Sequence, residues 1–251
     1  MNLEIKLKLI LVLNHILFTV GLLFADPTWL WLSLTGWILF GKIGGEIALH
    51  RYFTHRSFET VYWKERLLLI LSIFNCFGSP IVWCGIHRKH HHHSDTENDP
   101  HGNQPFWRIW LTFWKPFVIE KRYVVDLLRD NWIKFIHKHY LKILLISYIV
   151  LLLIDWRIPI FLISIPAVIT FHSAGLVNTI CHKYGYTYFD TGDHSKNNFW
   201  VNLLTLGSGL HHTHHAKPKE WNNSLKWWEI DLPAFIIRHF FLRKDHANKI
   251  N

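Results

Sequence analysis

Four apolar segments dominate the chain, at about residues 9–25, 29–49, 141–154 and 158–178. We interpret them as membrane-spanning helices, because they carry few charges. The first two are separated only by Asp26-Pro27-Thr28, and the last two only by Asp155-Trp156-Arg157. Lys6 and Lys8 would also suit a signal peptide, but the second apolar segment follows so soon that a retained helix is favoured. The pattern predicts two helical hairpins with very short outer turns.

An even number of spans before each polar region places the N-terminus and residues 50–140 and 182–251 on one side of the membrane. Of the 27 Lys and Arg residues, only Arg157 falls in an outer turn, so that side is predicted to be cytoplasmic. The expected fold is an all-α, multi-pass membrane protein. Its four transmembrane helices are capped by a cytoplasmic helical domain, and residues 1–251 form a single domain.

Residues 67–86 are long enough to be a fifth span, but Asn75 and Gly78-Ser79-Pro80 interrupt them. A fifth crossing would also separate two histidine-rich regions, described below, across the membrane. We therefore expect a helical hairpin or a half-buried helix packed against the spans. The aromatic segments 106–114 and 235–241 predict helices lying in the membrane interface.

Composition agrees with a membrane protein, since half of the residues are hydrophobic and 14 are Trp. The net charge of +9 is explained by a basic cytoplasmic face, and no nucleic-acid partner is expected. The three cysteines form no CxxC pair, which argues against a disulfide scaffold or a thiolate site. The unusual feature is the 20 histidines.

Two histidine motifs share one spacing. His87, His90 and His91 stand at i, i+3 and i+4, so that on a helix they lie on one face. His211, His214 and His215 repeat that spacing, and a further pair follows an apolar segment, His50 and His55. Eight imidazoles exceed what one tetrahedral ion binds and suit a dinuclear site, for which iron, copper, nickel and zinc remain open. Because each ligand must be neutral, affinity is expected to fall as the pH drops towards about 6.5.

Polar residues that follow the second motif are candidates to hydrogen-bond the ligand N–H groups and fix their tautomers. They are Asp95, Glu97, Asp99 and His101. The alternative for the acids is a solvated turn.

The runs EIALHRYFTHRSF, WCGIHRKHHHHSDTENDPHG and GLHHTHH resemble the three histidine boxes of membrane fatty-acyl desaturases of the stearoyl-CoA (Δ9) type. The resemblance extends from Glu46 to about Trp221. It includes an Asn and a His four residues apart after the last span, here Asn178 and His182. It implies nine ligands, namely His50, His55, His87, His90, His91, His182, His211, His214 and His215.

By this resemblance the nine histidines bind two iron ions, and Asn178 holds a metal-bound water. The implied reaction is O2-dependent removal of two hydrogens from a saturated acyl chain carried by CoA, a lipid or a carrier protein. No catalytic residue beyond the metal centre is implied. No HPGG-type haem motif is present, and we expect no further domain, so two electrons are expected from a separate donor such as ferredoxin or cytochrome b5.

Arg88 and Lys89 are candidates to bind an acidic head group of the substrate, and a solvated basic face is the alternative. Lys42 and Glu46 occupy positions that are mostly small or apolar in the family, where the deeper one helps to set the end of the acyl tunnel. Because they are charges at membrane depth, both are candidates for the substrate site, and interfacial anchors are the alternative. Chain-length preference is not carried over. Three other histidines are expected to be spectators, namely His92, His93 and His212.

Two other functions suit the same motifs. One is a hydroxylase on the same metal scaffold, which the spacing does not distinguish from a desaturase. The other is a non-catalytic metal-binding or metal-transporting membrane protein. Transport is disfavoured because the motif histidines lie just outside the spans. His15 and His172 lie within spans, and we expect a packing role for them.

Overall fold

The structure is a computed structural model that describes residues 3–101 and 118–243. Within these ranges the fold is all-helical, and β-structure is limited to the isolated bridges Tyr186–Asn197 and Asn197–Leu210. Besides two short 3-10 helices, Lys121–Tyr123 and Leu127–Arg129, the described residues form α1 (Leu3–Leu23), α2 (Pro27–Thr54), α3 (Tyr62–Ile73), α4 (Pro80–His93), α5 (Asn131–Ile154), α6 (Arg157–Ile180), α7 (Phe199–Thr205), α8 (His211–Ala216) and α9 (Leu232–Phe241).

Four of these helices, α1, α2, α5 and α6, are long and apolar enough to cross a membrane, as predicted. Their hairpin turns are capped. Asp26 accepts the N–H groups of Thr28 and Trp29, and Asp155 accepts that of Arg157. Helix α5 begins at Asn131, well before the predicted residue 141, because Asp130 caps it and its first turns bury an apolar face. The membrane side on which the termini lie stays a prediction.

The second half of α2 departs from α-helical geometry. From Trp37 to Thr54 it is a π-helix, and its last turn donates the His55 N–H to the His50 carbonyl at 3.2 Å. An α-helix would turn residues five apart away from each other, by about 140°, whereas i→i+5 bonding brings them together. The sequence pattern did not predict this change of helix type.

Residues 67–86 form parts of two helices, α3 and α4, rather than one long span, as predicted. The chain between them is fixed by polar groups. Asn75 donates its side-chain amide to the carbonyl of Phe40 at 3.1 Å, and the Tyr140 hydroxyl donates to that of Ile73 at 3.0 Å. Gly78 has a φ of +101°, a left-handed conformation that favours glycine. The break therefore lies where the sequence placed it.

The described residues divide into two compact units. Unit 1 comprises residues 3–49, 68–85 and 118–172, and unit 2 comprises residues 50–67, 86–101 and 173–243. Unit 1 contains α1, α5 and the greater part of α2 and α6. Whether the chain acts as a single domain stays a prediction.

The two predicted interfacial helices have different outcomes. The segment 106–114 lies outside the described residues. In unit 2, helix α9 buries Ile237 and Phe241 and exposes Phe235 and Phe240. Its position in a membrane interface stays a prediction.

Candidate metal centre

Nine histidines of unit 2 converge in two groups, and they are the nine that the resemblance implied. Within each group, ligand nitrogens all lie within 4.8 Å of one another. The first group consists of His50, His55, His87, His91 and His214, and the second of His90, His182, His211 and His215. Every histidine of both groups is buried or half-buried. The i, i+3, i+4 motif on α4 divides between the groups, and so does that on α8.

In the first group the nitrogens point at one another. The Nε2 atom of His214 lies 2.9 Å from that of His50 and 2.9 Å from that of His91. His91 Nε2 is also 3.2 Å from His87 Nε2. One imidazole nitrogen carries either one proton or one in-plane lone pair, so it cannot form good hydrogen bonds to two such neighbours. A shared cation satisfies all of these lone pairs together.

The π-helical end of α2 explains the spacing of the first motif. His50 lies on the helix and His55 directly after it, and their ring centroids are 5.1 Å apart. Both rings contact His87 and His214 of the same group. A π-turn brings together residues that are five apart, as His50 and His55 are. An α-helix brings together residues that are three and four apart, as in the motifs on α4 and α8.

In the second group three ligands are oriented by carboxylates. His90 Nδ1 lies 2.9 Å from both oxygens of Asp99, and His182 Nδ1 lies 3.0 Å from Asp95. His215 Nδ1 lies 2.6 Å from Asp193. Each Nδ1–H donates to its carboxylate, which fixes the tautomer and leaves the Nε2 lone pair available to bind a metal. Two Nε2 pairs then face each other, His182–His211 at 2.9 Å and His90–His215 at 3.3 Å.

Burial keeps the histidines neutral. It lowers the pKa of His87, His91, His211 and His214 well below the ordinary value, and neighbouring histidines lower it further. For His215 burial lowers the pKa to about 4, although the hydrogen bond to Asp193 opposes the shift. These rings are therefore neutral and able to bind a metal at pH 7.

The carboxylates are held in the charged form. Burial alone would raise the pKa of Asp95, Asp99 and Asp193, but the hydrogen bonds from their histidines and from backbone or hydroxyl donors outweigh it. The pKa of each is lowered as a result. The hydrogen-bonded carboxylates thus stay acceptors at neutral pH.

The residues around the ligands have mixed outcomes. Asp95 and Asp99 accept hydrogen bonds from His182 and His90 of the second group. His101 stacks on His90 at 4.5 Å, and burial lowers its pKa to about 3. Glu97 is exposed, so for this residue the solvated turn is correct. Asn178 is half-buried in the last turn of α6, four residues before His182, and its role stays a prediction.

Arg88 has a structural position that the sequence did not predict. Its guanidinium donates to the carbonyls of Phe53 and Thr54 at 2.7 and 2.9 Å and thereby caps the end of α2. Lys89, beside it, is half-buried, and a role in substrate binding stays a prediction for it.

Two charged residues of α2, Lys42 and Glu46, are predicted to be candidates for the substrate site, and this stays a prediction. Lys42 is buried, and its ammonium lies 5.0 Å from the ring centre of Trp37. Glu46 is half-buried. Among the expected spectators, His92 is exposed and His93 half-buried, but His212 is fully buried and hydrogen-bonded. That environment is unusual for a spectator.

His15 and His172 belong to neither metal group. Within unit 1 their Nε2 atoms are 3.3 Å apart, and both rings contact Phe171. The His15 ring also donates Nδ1–H to the Leu11 carbonyl at 2.8 Å. These contacts agree with the packing role expected for them.

Sequence reasoning missed Asp193. It lies between the last span and the third histidine motif, in the polar run Thr191-Gly192-Asp193-His194-Ser195. Nothing in its spacing from His215 predicts a contact. The available signal was the pattern itself, since two ligands of the second group already had candidate carboxylates and a third acid in a polar loop was close in sequence to that group.

The donor set can be tested against the metals that remained open. With metal–nitrogen bonds of about 2.1 Å, ligands at right angles lie about 3.0 Å apart and tetrahedral ligands about 3.4 Å apart. Three Nε2–Nε2 separations, at 2.9 Å, match right angles, and two others, at 3.2 and 3.3 Å, lie between the two values. A group of five also exceeds the four ligands of a structural zinc site. The residues fit two octahedral-leaning ions bound by nitrogen.

Comparisons with known proteins point the same way. The family described as fatty acid desaturase matches residues 27–247. The chain is 36% identical to an sn-1 stearoyl-lipid 9-desaturase of Anabaena variabilis, over 80% of this chain and 76% of the relative. It is 35% identical to a protein of the same name from Synechocystis sp., over 82% and 67% of the two chains. It is 32% identical to an acyl-CoA C20 Delta5-desaturase of Anemone leveillei, over 89% and 77%.

Proposed function

Because the chain belongs to the fatty acid desaturase family, we propose that it is a membrane acyl desaturase that introduces a cis double bond, of the Δ9 type, into a saturated fatty-acyl chain. The observation that carries the proposal is the pair of histidine groups, whose nine members are those that the family resemblance implies. We also propose that these nine histidines bind two iron ions and that Asn178 holds a metal-bound water.

The chemistry requires a redox metal. An unactivated methylene has no acidic proton, so a general base cannot remove it. Two iron ions bound here would supply O2 activation: O2 would be reduced to two waters by two hydrogen atoms from the acyl chain, two electrons from an external donor and two protons from water.

The protein's own residues orient the histidine rings and favour their neutral form. Asp95, Asp99 and Asp193 fix the tautomers of three ligands. Burial lowers the pKa of five of the rings, namely His87, His91, His211, His214 and His215, and so favours their neutral form. The electron donor is proposed to be a separate protein such as ferredoxin or cytochrome b5, attracted by the net charge of +9. The site and both termini are proposed to lie on the cytoplasmic side of the membrane.

The test is the fatty-acid profile of a host that expresses the chain, measured by gas chromatography–mass spectrometry with double-bond location. His211→Ala removes a proposed ligand and is expected to abolish the product. His92→Ala is the control, since it removes an exposed histidine that stands beside the second histidine motif and belongs to neither group. Lipid classes and acyl-CoA are analysed separately, because relatives are named for both carriers.

A new cis-monoene with wild type and His92→Ala, but not with His211→Ala, supports the proposal. A new hydroxy acid instead would identify a hydroxylase on the same scaffold. A product that persists with His211→Ala would contradict the metal assignment. Iron content of the purified proteins, expected to fall in His211→Ala alone, separates loss of the site from lack of an electron donor in the host.

A further inference from the structure

His212 stands between two proposed ligands on α8 and is almost fully buried, at 1% exposure. We propose that it is a positioning residue: through Ser195 and Asp193 it fixes the ring of the ligand His215. The inference rests on the proposed function, because it needs His215 to bind a metal. It gives a role to a side chain that the histidine motif alone does not explain.

The donors and acceptors of this chain of contacts can be assigned one by one. The Phe189 N–H donates to His212 Nε2 at 3.0 Å, so the proton of the neutral ring is on Nδ1. The Ser195 hydroxyl donates its single proton to Asp193 Oδ1 at 2.6 Å, because a carboxylate only accepts. Ser195 Oγ therefore accepts from His212 Nδ1–H, at 3.2 Å.

The chain ends at the metal ligand. Asp193 Oδ2 accepts the Nδ1–H of His215 at 2.6 Å, while Oδ1 is fixed by the Thr191 hydroxyl at 2.7 Å and the Ser195 N–H at 3.1 Å. Only one donor-to-acceptor direction of these hydrogen bonds satisfies all of the groups. The position at which Ser195 holds the Asp193 carboxylate therefore sets the orientation of the His215 ring and the direction in which its Nε2 points.

The neighbouring residue fixes the same loop by independent contacts. Thr213 donates its N–H to Asn197 Oδ1 at 3.0 Å and accepts from Asn197 Nδ2 at 2.8 Å. Asn197 also forms the bridges to Tyr186 and Leu210. Loss of His212 should therefore leave the loop attached to α8 through Asn197. What changes is the contact of His212 with Ser195, which is the link that leads to the metal ligand.

Two substitutions separate the two ends of the imidazole. An Asn side chain places its amide nitrogen near the position of Nδ1, and so can still donate to Ser195. A Gln side chain reaches the position of Nε2, and so can still accept from the Phe189 N–H but no longer reaches Ser195. His212→Asn should therefore preserve the link to Asp193, whereas His212→Gln should break it.

The measurement is Co2+ binding to the purified, metal-free full-length protein, by competition with a chelator and by the ligand-field absorption of cobalt. Wild type is expected to bind two ions per chain. Substituting partners of metal-bound histidines costs about 10–100-fold in affinity, so His212→Gln should weaken one of the two ions by about tenfold or more. His212→Asn should stay within about threefold of wild type. Ser195→Ala, which breaks the same link from the other side, should resemble His212→Gln.

Thermal unfolding of the metal-free variants controls for misfolding. A similar midpoint for the Asn and Gln variants, with weaker cobalt binding in Gln only, supports the proposal. If His212→Gln keeps the cobalt affinity and His212→Asn loses it, the role belongs to the Phe189 contact and the proposal is overturned. Equal cobalt binding by all variants would also overturn the proposal. A wild type that binds no cobalt would overturn the proposed function, and the positioning role with it.

Discussion

The buried ion pair between Arg51 and Asp231 gives a prediction whose magnitude can be worked from the structure. Arg51 directly follows the proposed ligand His50, is 1% exposed, and donates to both oxygens of Asp231 at 2.9 and 3.1 Å. It also donates to the Trp221 carbonyl. Arg51→Leu would leave the carboxylate buried without its cation. Removing one partner of such a pair costs about 3–5 kcal/mol.

The assay is thermal unfolding of the purified protein in one detergent, followed by intrinsic fluorescence. For a chain of this size a loss of 3–5 kcal/mol lowers the midpoint by about 6–20 °C. Iron content should fall as well, because Arg51 holds the turn of α2 that carries His50 against the segment after the third histidine motif. Arg238→Leu is the control, since Arg238 is exposed on α9 and its loss should change stability by less than about 0.5 kcal/mol.

The double variant Arg51→Leu/Asp231→Asn tests the cause. Asn carries no charge and keeps an acceptor for only one of the two N–H groups that donate to Asp231, because Asn223 donates to Oδ2 at 2.9 Å and Ala234 donates to Oδ1 at 3.0 Å. The cost of the unmet N–H is shared by Asp231→Asn and the double variant, so it cancels in a double-mutant cycle. If the uncompensated charge causes the loss, the double variant should lose less stability than the sum of the two single variants. Additive losses would refute the reasoning and assign the effect to lost packing of the long Arg side chain.

Four further predictions concern the metal ligands and their supports. Asp95→Asn and Asp99→Asn should each weaken Co2+ binding by about 10–100-fold in chelator competition, whereas the exposed Glu97→Gln should have no effect. Co2+ affinity should be nearly constant from pH 8 to about 6, because the buried rings have lowered pKa values and stay neutral; a fall near pH 6.5 would contradict this. Because the pKa values of these histidines are lowered in the folded protein, the unfolded chain binds protons below about pH 6.5 that the folded chain does not. The metal-free protein should therefore lose stability as the pH falls below that value. Arg88→Met should lower thermal stability by about 1–3 kcal/mol, since it uncaps the Thr54 carbonyl, and leave the KM for acyl-CoA unchanged; a raised KM would restore the head-group hypothesis.

Local patterns predicted the parts of the structure that depend on neighbours in sequence. The two hairpins follow from apolar length and from capped three-residue turns, and the break between α3 and α4 follows from Asn75 and Gly78-Ser79-Pro80. The i, i+3, i+4 spacing placed each motif on one helical face, but it did not predict that neighbours such as His90 and His91 would join different groups. That division depends on which histidines arrive from other helices.

The parts that could not be predicted depend on loops and on backbone hydrogen bonding. Asp193 reaches His215 because a loop with two isolated bridges folds back onto α8, and no periodicity encodes such a contact. The π-helix of α2 is equally hidden, since apolar residues suit either helix type. The five-residue spacing of His50 and His55 was its only trace, and it can be interpreted only when the two rings are known to share a group.

The residue that directly follows the first proposed ligand has a common task in all three motifs. On a helix the next side chain turns by about 100°, so it faces away from the metal group and towards the surrounding protein. Arg51, after His50, binds Asp231, and Arg88, after His87, caps α2. His212, after His211, contacts the loop of Asp193. Each contact joins one motif to another segment of unit 2. Polar residues at these positions are therefore expected wherever ligands come from separate helices, because imidazoles held only by their own helix could not keep nitrogens from different segments near 3 Å apart.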